Sequence, residues 1–314
     1  MKKVLITEKI HPDAEALLRQ HFEVVQGSGT ANVAAELAGC EGVLVRSAHV
    51  TAEDMAQNPQ LKVIAKHGMG LDAIDMEEAE ARGIAVVNAP YSNLNAVAEH
   101  IVMLILALSK RTVRMDKLTR QGRFADRNLY KTRELKGSTL GIIGMGKISR
   151  LVVEKMRGFG MEVISSDPFV KQEDVGDLPV RMTSAEEVYT TSDFVVVHTS
   201  LFPSTFHLVG EKEFAMMKPT AYLINAARGA VVDEAAMVEA LRQGKIAGAG
   251  LDVFEQEPPA EDNPLFDMEN VILSPHNAAL SDGALLAMAM DSAQGIVDYL
   301  EGRTPKYLCT KPKA

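Results

Sequence analysis

Residues 139–150 read Thr139-Leu140-Gly141-Ile142-Ile143-Gly144-Met145-Gly146-Lys147-Ile148-Ser149-Arg150, and no other stretch constrains the chain as much. An apolar run rich in Leu and Ile ends in Gly144-Met145-Gly146, and a helix-compatible segment follows as far as Gly158. A strand, a glycine turn and a helix start aim backbone N–H groups and the positive end of a helix dipole at one point. A pyrophosphate can sit there. Ser149 occupies the third small position, where Gly or Ala is usual, and the same join also occurs as an ordinary tight turn. Asp167 argues for the ligand. It ends the next apolar run, 161–166, and lies 23 residues beyond Gly144, where a dinucleotide fold puts the carboxylate for the adenosine ribose hydroxyls. The alternative is a strand-end aspartate satisfied by local N–H groups. Together the two signals point to NAD. A carboxylate there repels a 2′-phosphate and no arginine follows directly, although nearby Lys171 leaves NADP open.

Length allows two domains of ordinary size, and 46% apolar with 24% charged residues is the balance of a globular protein. The longest unbroken apolar run, 101–108, is far below the roughly 20 residues a membrane helix needs, so no membrane association is expected. Lys2 and Lys3 precede only Val4, Leu5 and Ile6 before polar residues return, which gives no signal-peptide core. Cys40 and Cys309 have no metal-ligand spacing and form no disulfide framework, so no metal is expected and the cytoplasm is the natural compartment. A net charge of −9 argues against nucleic-acid binding. Residues 110–136 run the other way, with ten basic against three acidic residues, and read as a solvated helix face or a subunit contact.

The first hundred residues alternate β-like runs at 4–7, 22–26, 42–46, 62–66 and 84–88 with helical patterns at 11–20, 31–38, 51–57 and 75–82. Strands alternating with helices imply a parallel, doubly wound sheet, whose ligands bind beyond the carboxyl ends of the strands. The segments there are Arg46-Ser47-Ala48-His49 and Lys66-His67-Gly68-Met69-Gly70. Arg46 could clamp an anion and the two glycines could let backbone N–H groups approach a ligand; an exposed arginine and a plain turn are the alternative. After residues 90–93 break the pattern, Leu94, Val97, Ile101, Leu104, Ile105 and Leu108 keep helical spacing to Lys110 and predict a buried helix. His100 within it reads as a packed or interface histidine before a catalytic one. A second α/β pattern then starts at 139, with strands at 139–143, 161–166, 193–198, 221–225, 248–252 and 271–273. Helix starts are signposted at Ser184 and Asp233, and a Met- and Ala-rich helix is expected over 281–300. The layout predicts two doubly wound parallel-sheet α/β domains. A Rossmann NAD-binding domain (100–283) is inserted into a flavodoxin-like substrate domain (1–99 and 284–314).

Three residues sit just past apolar strands: Arg228, Glu257 and His276. Hydride transfer between a 2-hydroxy acid and NAD needs a cation for the carboxylate, and the planar fork of Arg serves better than Lys. It needs a group titrating near neutrality to exchange the hydroxyl proton, which suits His. A carboxylate beside the imidazole must orient it and favour its charged form. Taken singly, a surface ion pair, a loop acid before Pro258 and a capped loop histidine explain the same three residues.

The chain resembles the D-isomer-specific 2-hydroxyacid dehydrogenases through nearly its whole length, and within that family its pattern is most similar to the D-3-phosphoglycerate dehydrogenases. The resemblance rests on Val45-Arg46-Ser47-Ala48, Gly68-Met69-Gly70-Leu71-Asp72, Val97-Ala98-Glu99, the turn at 140–148 and Ser166-Asp167-Pro168. It extends to His198-Thr199-Ser200-Leu201, Asn225-Ala226-Ala227-Arg228-Gly229, residues 251–258 and Ser274-Pro275-His276. It implies Arg228, Glu257 and His276 as the catalytic set, with His276 the acid–base and Glu257 its partner. It implies NAD held by Gly144, Gly146, Lys147, Ile148, Asp167, Thr199, Ala226, Ala227, Arg228 and His276, with Asp252 on the nicotinamide carboxamide and Met69 approaching from the other domain. Arg46, Ser47, Gly68, Met69 and Gly70 would contact substrate with Arg228 and His276. The resemblance also implies a homodimer, or a tetramer, built through 94–127, and domain closure that excludes water.

Several positions depart from the family pattern: Ser149, Ala73, Tyr91, and Asn277 after the histidine. The loop at 47–50 offers His49 and no extra Lys or Arg for a phosphate, and ending at Ala314 leaves no room for a regulatory serine-binding domain. The expectation is therefore an NAD-dependent oxidoreductase for a D-2-hydroxy acid, with 3-phosphoglycerate first and a glyoxylate, hydroxypyruvate or other 2-keto-acid reductase as the alternative. An NADH-sensing, corepressor-like binding protein is the reading from another class.

Overall fold

A computed structural model describes residues 1–29 and 33–310. The chain forms two compact units, one of Met1–Asn93 with Ala279–Ala314 and one of Leu94–Ala278. The junctions at 93/94 and 278/279 fall a few residues before 99/100 and 283/284, because each leaves a long helix undivided.

In the first unit, strands β1 (Lys3–Ile6), β2 (Glu23–Gln26), β3 (Gly42–Val45), β4 (Val63–Lys66) and β5 (Ala85–Val87) form one parallel sheet. Its order is β2-β1-β3-β4-β5, the flavodoxin-like winding. Successive side chains leave opposite faces of a strand, and both faces here are covered. Val4, Ile6, Leu44, Val63 and Ala65 pack with Leu18 of helix Pro12–His21 and with Ala293, Ile296 and Leu300 of helix Asp282–Leu300. Leu5, Val43, Val45 and Ile64 face Leu37, Met55, Ile74 and Ala79 instead. Thr51 starts one helix with a reciprocal Thr51–Asp54 capping box, and Gly83 ends another in the left-handed conformation that glycine tolerates. The helix expected over 31–38 is absent as such: residues 34–39 form turns, while 31 and 32 lie outside the described residues.

The second unit carries β6 (Thr139–Ile143), β7 (Glu162–Ser166), β8 (Arg181–Met182), β9 (Phe194–Val197), β10 (Tyr222–Asn225), β11 (Gly248–Leu251) and β12 (Val271–Leu273). All pair in parallel, in the order β12-β11-β10-β9-β6-β7-β8. This is the Rossmann winding with one strand added at the far edge. Sequence reading finds six strands and misses β8, whose two residues show no periodicity; the Gln172 side-chain carbonyl accepts from Met182 N–H at 2.8 Å. Helix Leu94–Lys110 spans the expected residues and buries Val97, Ile101, Leu104, Ile105 and Leu108. Leu104 and Leu108 lie against Gly250 of β11, where a Cβ would come within 3.2 Å of them. On the opposite face Val195, Val197, Leu223, Ala249 and Leu251 pack with Val188, Phe214, Met237 and Leu241. Ser184 and Asp233 cap their helices as the sequence signals. Among the described residues no helix is long and apolar enough to cross a membrane.

Candidate active site

In the second unit β6 and β9 are neighbours although two strands intervene in sequence, so the winding reverses between them. The turn 144–146 leaves β6 at that point. Gly144 has φ +94°, and a Cβ on it would lie 2.5 Å from the His198 carbonyl oxygen, so only glycine lets the backbone pass. Around Gly146 there is open space, and no side chain caps helix Lys147–Met156, which it starts. An open glycine before an uncapped helix terminus is a cradle that fits a pyrophosphate. Ser149, which stands where Gly or Ala is usual, fills this join: it is fully buried and donates to the Gly144 carbonyl at 2.6 Å. Both readings of Asp167 have a basis. One oxygen accepts from Met145 N–H and the other from Phe169 N–H, each at 2.8 Å, so the carboxylate braces the turn while keeping lone pairs for hydroxyl donors. Lys147 is exposed, Ile148 is buried, and Thr199 is half-buried just beyond β9.

Beyond β10, Asn225 organises the loop that carries Arg228. Its side-chain N–H donates to the Arg228 carbonyl at 2.9 Å and its side-chain oxygen accepts from Ala227 N–H at 3.0 Å. Ala226 and Ala227 are buried, and Gly229 is required because a Cβ would overlap the Phe254 carbonyl. The half-buried Arg228 also donates to the Ala227 carbonyl at 2.8 Å.

His276 sits past β12 and Glu257 past β11. His276 Nδ1 and Glu257 Oε2 are 2.7 Å apart. Burial pushes the Glu257 carboxyl up, but hydrogen bonds from His276 and from Phe254 N–H, with the charges of His276 and Arg228, outweigh it and hold it below the usual carboxylate range. Glu257 is therefore an anion at neutral pH, and Arg228 is close enough to act on it. An apolar recess of about 390 Å³, lined by Phe254, Pro258, Pro259, Phe266 and Leu273, adjoins the pair.

His276 has φ +49°, a strained value for a residue with a side chain. Asp252 holds it there. The Asp252 carbonyl accepts from His276 N–H at 2.8 Å, and its buried carboxylate accepts from Asn277 N–H, Ala278 N–H (2.9 Å each) and the Ser274 hydroxyl (2.7 Å). His100 Nε2 in turn lies 2.9 Å from the Ser274 hydroxyl. Burial pushes the His100 imidazole below its ordinary value despite the opposing charge of Asp252. His100 is thus packed behind this loop, as its sequence context suggests. His198, which sequence reading gave no role, is driven down to about 4 by burial and by Arg228, and its buried Nδ1 has no hydrogen-bond partner among the described residues.

The remaining expected residues belong to the first unit. Gly68, Met69 and Gly70 follow β4; the Met69 carbonyl accepts from the Asn88 side chain at 2.8 Å and the Gly68 carbonyl from Ala89 N–H at 2.9 Å. The Met69 side chain is exposed. Arg46 and Ser47 follow β3, and their backbone N–H groups end on Glu8, which sequence reading did not single out.

The family model of the D-isomer specific 2-hydroxyacid dehydrogenase, NAD binding domain, matches residues 102–278. The D-3-phosphoglycerate dehydrogenase of Archaeoglobus fulgidus is 37% identical over 304 residues, which cover 96% of this chain and 58% of that protein. The chain thus spans about three fifths of the length of such curated relatives. The glyoxylate reductase of Thermococcus gammatolerans is 36% identical over 321 residues, covering 98% of this chain and 96% of that one. Among solved structures, the D-lactate dehydrogenase from Aquifex aeolicus complexed with NAD and lactic acid matches with a TM-score of 0.90 at 30% identity, covering 99% of this chain and 100% of that one.

Proposed function

Since the chain belongs to the D-isomer specific 2-hydroxyacid dehydrogenase family and carries its NAD-binding domain, we propose that it interconverts a D-2-hydroxy acid and its 2-keto acid. The observation that carries this reading is the 2.7 Å His276–Glu257 pair, on a loop held by Asp252 and within reach of the Arg228 charge. When bound, NAD accepts or returns a hydride at the nicotinamide ring. The chain's own residues do the rest. Gly144, Gly146, Lys147 and Ile148 hold the pyrophosphate, Asp167 the ribose, and Thr199, Ala226, Ala227, Arg228, Asp252 and His276 line the nicotinamide end. Met69 adds a contact from the first unit.

Arg228 binds the substrate carboxylate through two parallel N–H groups and polarises the keto oxygen. His276 Nε2 gives its proton to that oxygen during reduction, or takes the hydroxyl proton during oxidation, while Glu257 on Nδ1 fixes the tautomer and orients the ring. Arg46, Ser47, Gly68, Met69 and Gly70 meet the rest of the substrate. The first substrate reading is 3-phosphoglycerate, which would place the enzyme in serine biosynthesis. The second is glyoxylate or hydroxypyruvate, favoured by the glyoxylate reductase that matches almost end to end. The protein is further read as cytoplasmic and as a homodimer; the dimer reading is supported by Val113, Phe124 and Leu129 exposed along the basic stretch and is testable by light scattering.

NADH oxidation followed at 340 nm tests the function, with 3-phosphohydroxypyruvate, hydroxypyruvate, glyoxylate and pyruvate as substrates. Turnover of at least one of them is expected. Dinucleotide-dependent binding of a protein partner with no turnover of any acid would favour a sensing role instead.

A further inference from the structure

Strands β1 and β3 lie side by side in the first sheet although β2 comes between them in sequence. Their carboxyl ends therefore mark the point where this sheet reverses its winding, the usual place for a ligand. The loop leaving β3 there is fastened to one side chain. Glu8, two residues past β1, accepts from Arg46 N–H at 3.0 Å, Ser47 N–H at 2.6 Å and Ala48 N–H at 2.9 Å. The Thr7 hydroxyl contacts the same carboxylate, and Thr7 is itself buried. On the other side, the Lys66 ammonium contacts the Arg46 carbonyl oxygen. The peptide groups flanking Arg46 are thus gripped by an anion at the N–H and a cation at the C=O.

Three successive N–H groups converging on one point make an anion nest, and here an internal carboxylate already fills it. Burial pushes the Glu8 carboxyl up, yet the Thr7 hydroxyl and the three backbone N–H groups outweigh burial and hold it below the ordinary 4.5, so the anion persists at neutral pH. A ligand anion arriving at this loop cannot use those N–H groups. What remains for it is the exposed Ser47 hydroxyl and, as the only full positive charge on the loop, the guanidinium of Arg46, which no carboxylate pairs among the described residues. The direction of that guanidinium is set by a backbone that Glu8 and Lys66 clamp.

We propose that Glu8 is a positioning residue for the substrate, whose carboxylate, by gripping the 46–48 loop, aims Arg46 at the anionic group of the 2-keto acid. This rests on the dehydrogenase reading above. It explains why a charged side chain stands at a place where a loop could otherwise close on water. It also separates the work of the two units: the grip of Glu8 governs how well the acid is held and leaves the chemistry at His276 alone.

The test compares Glu8→Gln and Glu8→Asp with the wild type in NADH-dependent reduction of the best 2-keto acid, with NADH affinity read by fluorescence titration. Gln keeps the size but puts an N–H donor where donors already converge, and the lost charge-assisted hydrogen bonds correspond to about a tenfold rise in KM. We expect kcat and NADH affinity to stay within about twofold. Asp keeps the charge on a shorter arm and should fall between the two, which covers the case of a Gln variant that folds poorly. Because Glu8 acts through Arg46, Glu8→Gln introduced on top of Arg46→Gln should raise KM by less than about twofold more. An unmoved KM in folded Glu8→Gln, a loss confined to kcat, or a full extra effect in the Arg46→Gln background would each overturn the proposal. Absence of turnover in the wild type is seen before any variant is made, and would remove the dehydrogenase reading itself.

Discussion

Each unit presents an arginine just past the carboxyl end of a parallel strand, and each holds it by the backbone, but with different chemistry. In the second unit a neutral amide does so: Asn225, only 1% exposed, takes one N–H and gives one to a carbonyl in the Arg228 loop. In the first, an anion and a cation, Glu8 and Lys66, grip the Arg46 backbone at a half-buried site. The difference follows burial. An unpaired charge in a dry interior is costly, whereas an amide can be satisfied there by two local bonds. Asp252 is the buried exception, and it is satisfied by two backbone N–H groups and a hydroxyl. Within each unit, then, sheet ends supply rough position and a few polar side chains fix the loops that carry the chemistry.

Changing the two arginines probes this comparison most strongly. Arg228→Ala removes the clamp on the reacting carboxylate and should lower kcat/KM by about 10³-fold, since breaking a desolvated charge pair costs roughly 2–5 kcal/mol. Arg46→Gln should act mainly on KM and by much less. Equal losses, measured in steady state, would break the asymmetry between the units. Asp252→Asn tests the buried anchor. It should cut kcat by about 10- to 100-fold with little change in keto-acid KM, and should cost stability of about 1–3 kcal/mol in denaturant melts, because buried donors lose their partner. An unchanged kcat would mean that the His276 backbone holds its strained angle unaided.

Glu257→Gln should lower kcat by about tenfold with NADH affinity retained, because the imidazole loses the carboxylate that orients it and fixes its tautomer from 2.7 Å away. An unchanged kcat would count against the pairing. The smallest effect concerns stability. Burial, reinforced by Arg46 for His67 and by Arg228 for His198, drives both from the ordinary 6.5 to about 4. The unfolded chain binds these protons first, so stability present above pH 6.5 should be lost as pH falls towards 4. Replacing either histidine by Phe should flatten the decline of Tm across that window by a few degrees, one histidine reporting on each unit.

Much of the fold is legible in the sequence because its cause is local. Apolar runs place most strands to within a residue, Ser184 and Asp233 start their helices, and Leu94–Lys110 follows from apolar spacing alone. Strand β8 escapes because two edge residues have no period, and 31–38 misleads because alanine-rich composition suits a helix that residues 34–39 do not form. The site divides in the same way. Arg228, Glu257 and His276 stand out because each is a chemically distinctive residue at a strand end. The holders do not. Glu8 answers to residues 46–48, and Asp252 to Ser274, Asn277 and Ala278, largely through backbone donors that leave no mark on residue type. Family resemblance singles out Asp252 as a cofactor contact, and its carboxylate also holds the His276 loop through Ser274, Asn277 and Ala278. Ser149 shows the converse: a departure from the glycine pattern becomes intelligible once its hydroxyl is seen on the Gly144 carbonyl.

The central claim is that His276 moves the proton, while most of the grip on the dinucleotide comes from the 144–146 turn and Asp167. The most direct measurement is kcat for NADH-dependent reduction of the best 2-keto acid by His276→Ala and by the wild type, with NADH affinity titrated in parallel. The account predicts a fall in kcat of at least about 10²-fold, the scale of general acid–base catalysis, with NADH affinity retained. An undiminished kcat would contradict it.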